Sequence, residues 1–259
     1  MRVLGPEEIV RVADVSTKIA VVTGATGTLG AALVARLAER GLAVVAVSRS
    51  GAEVGAGEAA CVAADLGSDE AIEAIRSAVP VGDLAMAVHA VGLPGSPGVS
   101  AVDPGMLATA VDIKAGGFLR LVRALENRTT GHSRFVAVGG HLGIEPTEHA
   151  PLAGVANAAL ANLVRQLVGP LGRRGATVHL AAPGPFESPR VESLIAAKAA
   201  GRGVDAGVVR AELVADTPLG HLPSANEVAT VIVNLLDPAA DALTGSTLFL
   251  DGGARRGIF

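Results

Sequence analysis

The chain has 259 residues, half of them hydrophobic and only 18% charged, with a formal net charge of −4. That balance supports one large core, excludes a disordered chain, and leaves no basic footprint for nucleic acid or an anionic membrane. A single cysteine excludes an internal disulfide framework and fits a reducing cytoplasm, and no apolar run is long enough to span a bilayer.

Residues 1–18 include Glu7, Glu8 and Asp14, lack the apolar stretch of a secretory signal, and read as an N-terminal extension. From residue 19 to 259 short β-branched runs alternate with helical patterns. A first strand is expected over 19–23. A helix follows over 31–40, where Leu29, Leu33 and Leu37 repeat at i, i+4 and Gly41 supplies the stop. A strand over 43–48 and another over 59–64 come next; Cys61, in the apolar setting AACVAAD, reads as a buried structural thiol. A helix over 68–79, with Ser68 as its N-cap, precedes a strand over 84–89. One long helix is expected over 106–128, then a strand over 135–138, a helix over 152–174 and a strand over 178–181. Residues 185–223, with scattered Gly and Pro, read as an irregular mobile lid. A helix over 225–236 and a strand over 247–250 close the chain. The strands lack polar alternation, as expected when both faces are covered. The alternation predicts an α/β fold: one doubly wound, Rossmann-type parallel sheet of about seven strands with helices on both faces.

The first strand runs directly into Thr23-Gly24-Ala25-Thr26-Gly27-Thr28-Leu29-Gly30 and a helix. Glycines at 24, 27 and 30 allow a sharp turn and let the helix N-terminus, with its free N–H groups and positive dipole end, approach a pyrophosphate. An ordinary tight βα turn would use the same residues, but the strand before and the helix after both fit a dinucleotide site. The second strand ends Ser48-Arg49 where an acidic residue would mark NAD. A guanidinium there pairs with a 2′-phosphate, so NADP(H) is expected over NAD(H); the other reading of Arg49 is a solvated surface side chain.

The T-G-x-x-x-G-x-G spacing of residues 23–30, the Ala182-Pro183-Gly184-Pro185 turn and the closing Thr244-Gly245-Ser246-Thr247-Leu248-Phe249-Leu250-Asp251-Gly252-Gly253 resemble the short-chain dehydrogenase/reductase family. The resemblance implies a nicotinamide cofactor held by the glycine loop, by Ser48 and Arg49, and by Asp65 and Leu66 at the adenine. It also implies contacts from the turn His89-Ala90-Val91-Gly92, from Asn157, from Pro183 and Gly184, and from Ser188 on the carboxamide. Asp65 taken alone is equally a helix cap, and His89 equally a satisfied core histidine.

The same resemblance implies a Tyr-x-x-x-Lys pair, a serine and an asparagine as catalytic residues. Here Ala153 takes the tyrosine's place, Asn157 the lysine's, Gly140 the serine's and Asp112 the asparagine's. Realignment cannot restore the pair, because the chain has no tyrosine and its only lysines are Lys18, Lys114 and Lys198. Replacement chemistry is sought in His141 and Glu145, with Glu148 and His149 following; a polar surface loop is the bland reading. Their spacing matches no helical metal-ligand pattern, so no metal is expected. Asp112, expected inside a helix, serves either a helix bend or a relay. Three functions remain open: an NADP(H)-dependent oxidoreductase with a non-standard centre and weakened cofactor binding; a non-redox cyclase, isomerase or lyase; and an inactive sensor or partner subunit. A homodimer or homotetramer through the two long helices is expected, with a small-molecule ligand of unknown class.

Overall fold

A computed structural model describes residues 17–54, 59–95 and 97–257. The first sixteen residues of the expected N-terminal extension lie outside the described residues, as do Ile258 and Phe259. Seven parallel strands form one sheet in the order β3-β2-β1-β4-β5-β6-β7: β1 Lys18–Thr23, β2 Ala43–Ser48, β3 Ala60–Ala63, β4 Asp83–His89, β5 Thr129–Val138, β6 Thr177–Pro183 and β7 Thr247–Leu250. The α/β fold and the strand count match the sequence reading.

Period-two alternation divides the strand residues between two cores. Ala20, Val22, Val44, Met86, Val88 and Val136 face α1 (Thr28–Glu39) and α8 (Ala225–Asn234). Ile19, Val21, Val45, Leu84, Phe135 and Val178 face α2 (Glu70–Ala78), α4 (Gly117–Leu125) and α5 (Pro151–Gly172). Both layers are needed because the strands are apolar on both sides. The edge strand β3 is the exception: Ala60 and Ala63 are exposed, and Cys61 is only part-buried, correcting its reading as a buried thiol.

Three further expectations are corrected. The helix expected over 106–128 is three segments, α3 (Pro104–Val111), a π turn over Asp112–Gly116 and α4, because the chain carries one residue more than α-helical register accommodates there. Residues 185–223 are mostly helical, in α6 (Pro189–Arg202) and α7 (Ala206–Ala215), clasped by Arg202–Glu212 and Arg210–Glu192 ion pairs over Val191, Ile195, Ala199, Val209 and Leu222. Helix α2 begins at Glu70 after Asp69, with the Ser68 hydroxyl accepting from the Glu70 amide.

At the far end of the sheet Arg134 is fully buried, donates from Nε to the Leu235 carbonyl and pairs with Asp241 at 2.6 Å. Removing Asp241 leaves that guanidinium without its counter-charge. Asp241→Ala should therefore lose about 1–2 kcal/mol of stability, after allowance for the half-exposed carboxylate, read as an earlier urea midpoint with an unchanged m-value.

Candidate dinucleotide site

Strand order reverses between β1 and β4, which opens a crevice at their carboxyl ends. A cavity of about 1020 Å³ lies there, lined by Gly24, Thr26, Gly27, Ser48, Arg49, Asp65, Leu66, Ala90 and Gly92, and closed by Leu93, Pro94, Thr109, Asp112 and Ile113. Two glycines make this geometry possible. Gly24 has φ +73° and a Cβ there would sit 2.7 Å from the Ala90 carbonyl oxygen; a Cβ on Gly30 would fall on the Gly24 carbonyl. Helix α1 starts at Thr28 with Gly27 as its N-cap and no side chain capping its first amides, leaving donors for an anionic ligand.

Two polar groups in this cavity have no partner among the described residues. The Ser48 hydroxyl is buried with no hydrogen bond. Beside it Arg49 is exposed and has neither ion pair nor hydrogen bond among the described residues. This pairing fits a sugar phosphate, which would give the hydroxyl a partner and the guanidinium a counter-charge. Asp65 accepts from the Gly67 amide at 3.0 Å through Oδ1 and lines the same cavity.

Other residues of the sequence reading serve elsewhere. Thr23 and His89 are both fully buried and bond to each other, Oγ1 to Nδ1 at 2.9 Å, while His89 Nε2 meets the Ile113 carbonyl at 3.1 Å. A carbonyl only accepts, so Nε2 carries the proton and Nδ1 accepts from the threonine hydroxyl. With both nitrogens used, His89 is satisfied within the protein, as the core-histidine reading expects. Ser188 is the N-cap of α6, accepting from the Val191 amide and donating to the Phe186 carbonyl. Thr28, Leu29 and Gly30 form the first turn of α1, with Leu29 buried beneath it. Pro183 ends β6 and Gly184 packs against Asp251.

Gly140 and Asn157, expected from the sequence at catalytic positions, meet at the carboxyl end of β5. A Cβ on Gly140 would sit 2.9 Å from the amide nitrogen of Asn157, which is buried on α5 and whose Oδ1 has no partner. Ala153 lies one turn earlier on the same helix. Asp112 opens the π turn half-exposed and pairs with Arg120 at 3.0 Å, which corrects its internal placement. His141 follows Gly140 in a short 3-10 turn, with Nδ1 buried and unpartnered. Glu145 is not brought to it: its Oε1 accepts from the amides of Arg256 and Gly257 in the C-terminal tail. Glu148 and His149 are exposed and lie 3.8 Å apart. Among the described residues no group of three or more His, Cys, Asp or Glu side chains could hold a metal, and no helix is long and apolar enough to cross a membrane.

Sequence reasoning missed Lys114. The π turn drives its side chain inward, and Nζ donates to the Val138 carbonyl at 2.8 Å. Burial, and next the charge of Arg190, lower its pKa to about 8. Burial first, then the charge of Lys114, holds His89 down at about 3, against a weaker opposing bond to Ile113. The available signal was rarity: Lys114 is one of three lysines and sits in a largely apolar helical stretch.

The family model described as enoyl-(acyl carrier protein) reductase matches residues 24–255. The chain belongs to the short-chain dehydrogenase/reductase family. It is 31% identical to the short-chain reductase protein NovJ of Streptomyces niveus, over 93% of this chain and 98% of that one. It is 30% identical to the cis-4-hydroxycyclohexanecarboxylate dehydrogenase of Sinomonas cyclohexanicum, over 91% and 96%. The structure of a point variant of actinorhodin polyketide ketoreductase with NADPH aligns with a TM-score of 0.82 at 25% identity, covering 92% of this chain and 97% of that one.

The two buried histidines set an acid limit. His89 and His179 have folded pKa values of about 3 and about 4, the latter lowered mainly by burial, against 6.5 unfolded. The unfolded chain therefore binds more protons below 6.5, and stability rises with pH through this window. Stability should be complete above about pH 6.5 and fall by about 1.4 kcal/mol per pH unit per histidine below it. His89→Asn should flatten the urea-measured slope between pH 6.5 and 4.5; an unchanged slope would contradict the neutral, buried ring.

Proposed function

We propose that this short-chain dehydrogenase/reductase binds NADP(H) and transfers hydride between the nicotinamide and a small carbonyl compound or secondary alcohol, with a proton source other than the family's phenol. The observation that carries the reading is the unpartnered Ser48–Arg49 pair on the wall of the β1–β4 cavity. The names of the relatives support it: a short-chain reductase, a dehydrogenase of a hydroxylated ring acid, and a ketoreductase structure with NADPH. When bound, the cofactor would supply the hydride. Arg49 would hold the 2′-phosphate, the α1 amides the pyrophosphate and Asp65 the adenine end. With Asn157 in place of a lysine, one fixed positive charge is missing from α5, which supports weaker binding than in ordinary members.

A second reading, a dinucleotide-binding subunit without turnover, is favoured by one observation: Gly140 and Ala153 bring no acid to the pocket. Binding of NADPH without reduction of any ketone would establish it. The exposed Met106 on α3 and Val155 on α5, beside an apolar groove lined by Leu107 and Val111, support self-association through these helices.

Arg49→Ala should raise the Kd for NADPH by about 10- to 100-fold and leave NADH unchanged, the loss expected for a charge-assisted bond to phosphate. Fluorescence titration with both nucleotides checks this, and equal weakening of both would remove the 2′-phosphate assignment.

A further inference from the structure

We propose that Lys114, presented by the π turn between α3 and α4, is the proton donor to the substrate oxygen in this protein. The proposal rests on the hydride-transfer reading above and names the acid that reading lacks.

Placement comes first. The Lys114 amine bonds to the carbonyl of Val138, two residues before Gly140, at the same strand end where Asn157 lies against Gly140 and where His141 follows. Lys114 is 6% exposed. An ammonium group carries three N–H bonds, and the protein provides one acceptor for it among the described residues. No carboxylate among the described residues pairs with it. At that strand end two side chains have buried polar atoms with no partner among the described residues, Asn157 Oδ1 and His141 Nδ1. Unused donors and acceptors thus cluster at the carboxyl end of β5. A side chain needed only to pack α3 and α4 against the sheet would be served by leucine or methionine, without the cost of burying a charge.

The electrostatics favour an oxygen that gains negative charge. Around Lys114 the titratable groups include His89 on β4, which is neutral, Arg190 on α6, which is positive, and His141 in the 3-10 turn after β5; α5 presents Asn157, which does not titrate. On the π turn itself Asp112 is committed to Arg120. Arg190 in turn bonds to the Leu93 carbonyl, which places its charge over the cavity wall. Two cations, with no carboxylate paired to Lys114 among the described residues, stabilise a developing alkoxide. The amine's pKa, lowered to about 8 chiefly by burial, leaves it mostly protonated at neutrality and able to regain a proton.

The step balances. The carbonyl carbon accepts a hydride, with its electron pair, from a reduced nicotinamide nucleotide, and the C=O π pair moves to oxygen. That oxygen forms its O–H bond with a proton from Nζ, leaving a neutral amine that water then reprotonates. Alcohol oxidation runs the same transfers backwards and needs the neutral amine at the start.

The test uses the full chain with Lys114→Met and Lys114→Arg, the second keeping the cation but unable to release a proton near neutrality. Reduction of ethyl acetoacetate, the acetoacetyl thioester of N-acetylcysteamine and 4-methylcyclohexanone is followed by NADPH consumption. Both variants should keep the NADPH Kd within about threefold and lose about 100- to 10,000-fold in kcat, the range of a general acid. Wild-type kcat for reduction should fall above about pH 8 and that for alcohol oxidation should rise through the same pH; neither variant should show the break. A readout independent of turnover is reductive ¹³C-methylation of the three lysines: the resonance absent from Lys114→Arg should titrate near 8. The proposal is overturned if either variant retains kcat within about threefold of wild type, if that resonance titrates near the ordinary lysine value of about 10, or if wild type reduces none of the three ketones. Failure of wild type to bind NADPH would overturn the functional reading as well, whereas normal NADPH binding with unaffected variants removes Lys114 alone.

Discussion

The neutral ring of His89 joins three pieces that the site needs in register. It accepts from Thr23 at the end of β1, stands at the end of β4, and donates to the Ile113 carbonyl inside the π turn. The first two strand ends border the β1–β4 cavity and the third element carries Lys114. A protonated ring could not accept from Thr23, so the clamp requires the low pKa that burial and Lys114 together impose. The Cε1 edge of the same ring packs against Gly117, where a Cβ would sit 2.9 Å away, so the start of α4 is held close as well.

With those elements fixed, the two halves of the crevice have different character. At the β1–β2 side, glycines, helix amides, a lone hydroxyl and a lone guanidinium suit an anionic nucleotide. At the β5–α5 side lie small residues at 140 and 153 and the amide of Asn157, none of which titrates. The buried lysine enters from the opposite helix. Burying an amine lowers its pKa, and a like charge from Arg190 lowers it further. A residue placed to hold a helix against the sheet gains acid–base character from the same burial that holds it.

Much of the fold was legible because parallel strands covered on both faces leave unbroken β-branched runs; β2 and β7 begin and end where their residues predict. Legibility failed where the signal is not periodic. Helices α6 and α7 are rich in alanine, so their apolar stripe is faint, and ion pairs between them help to hold them together. The π turn is a matter of one residue in register, invisible to a count of apolar positions. For the site, the glycine loop and Ser48–Arg49 were legible because backbone approach and charge leave marks on residue type. His89 and Ser188 stayed ambiguous because a histidine or serine near a strand end reads alike whether it meets a ligand or caps its own backbone. Glu145 was set near His141 by spacing alone, and no local spacing shows that its carboxylate accepts from the amides of a tail more than a hundred residues away.

Whether the protein keeps hydride chemistry after losing the phenol is tested most directly by deuterium transfer. With NADPH dideuterated at C4 of the nicotinamide and a ketone substrate, mass spectrometry of the alcohol should show one deuterium gained per NADPH consumed. Tight NADPH binding with no deuterium in any product would contradict that chemistry.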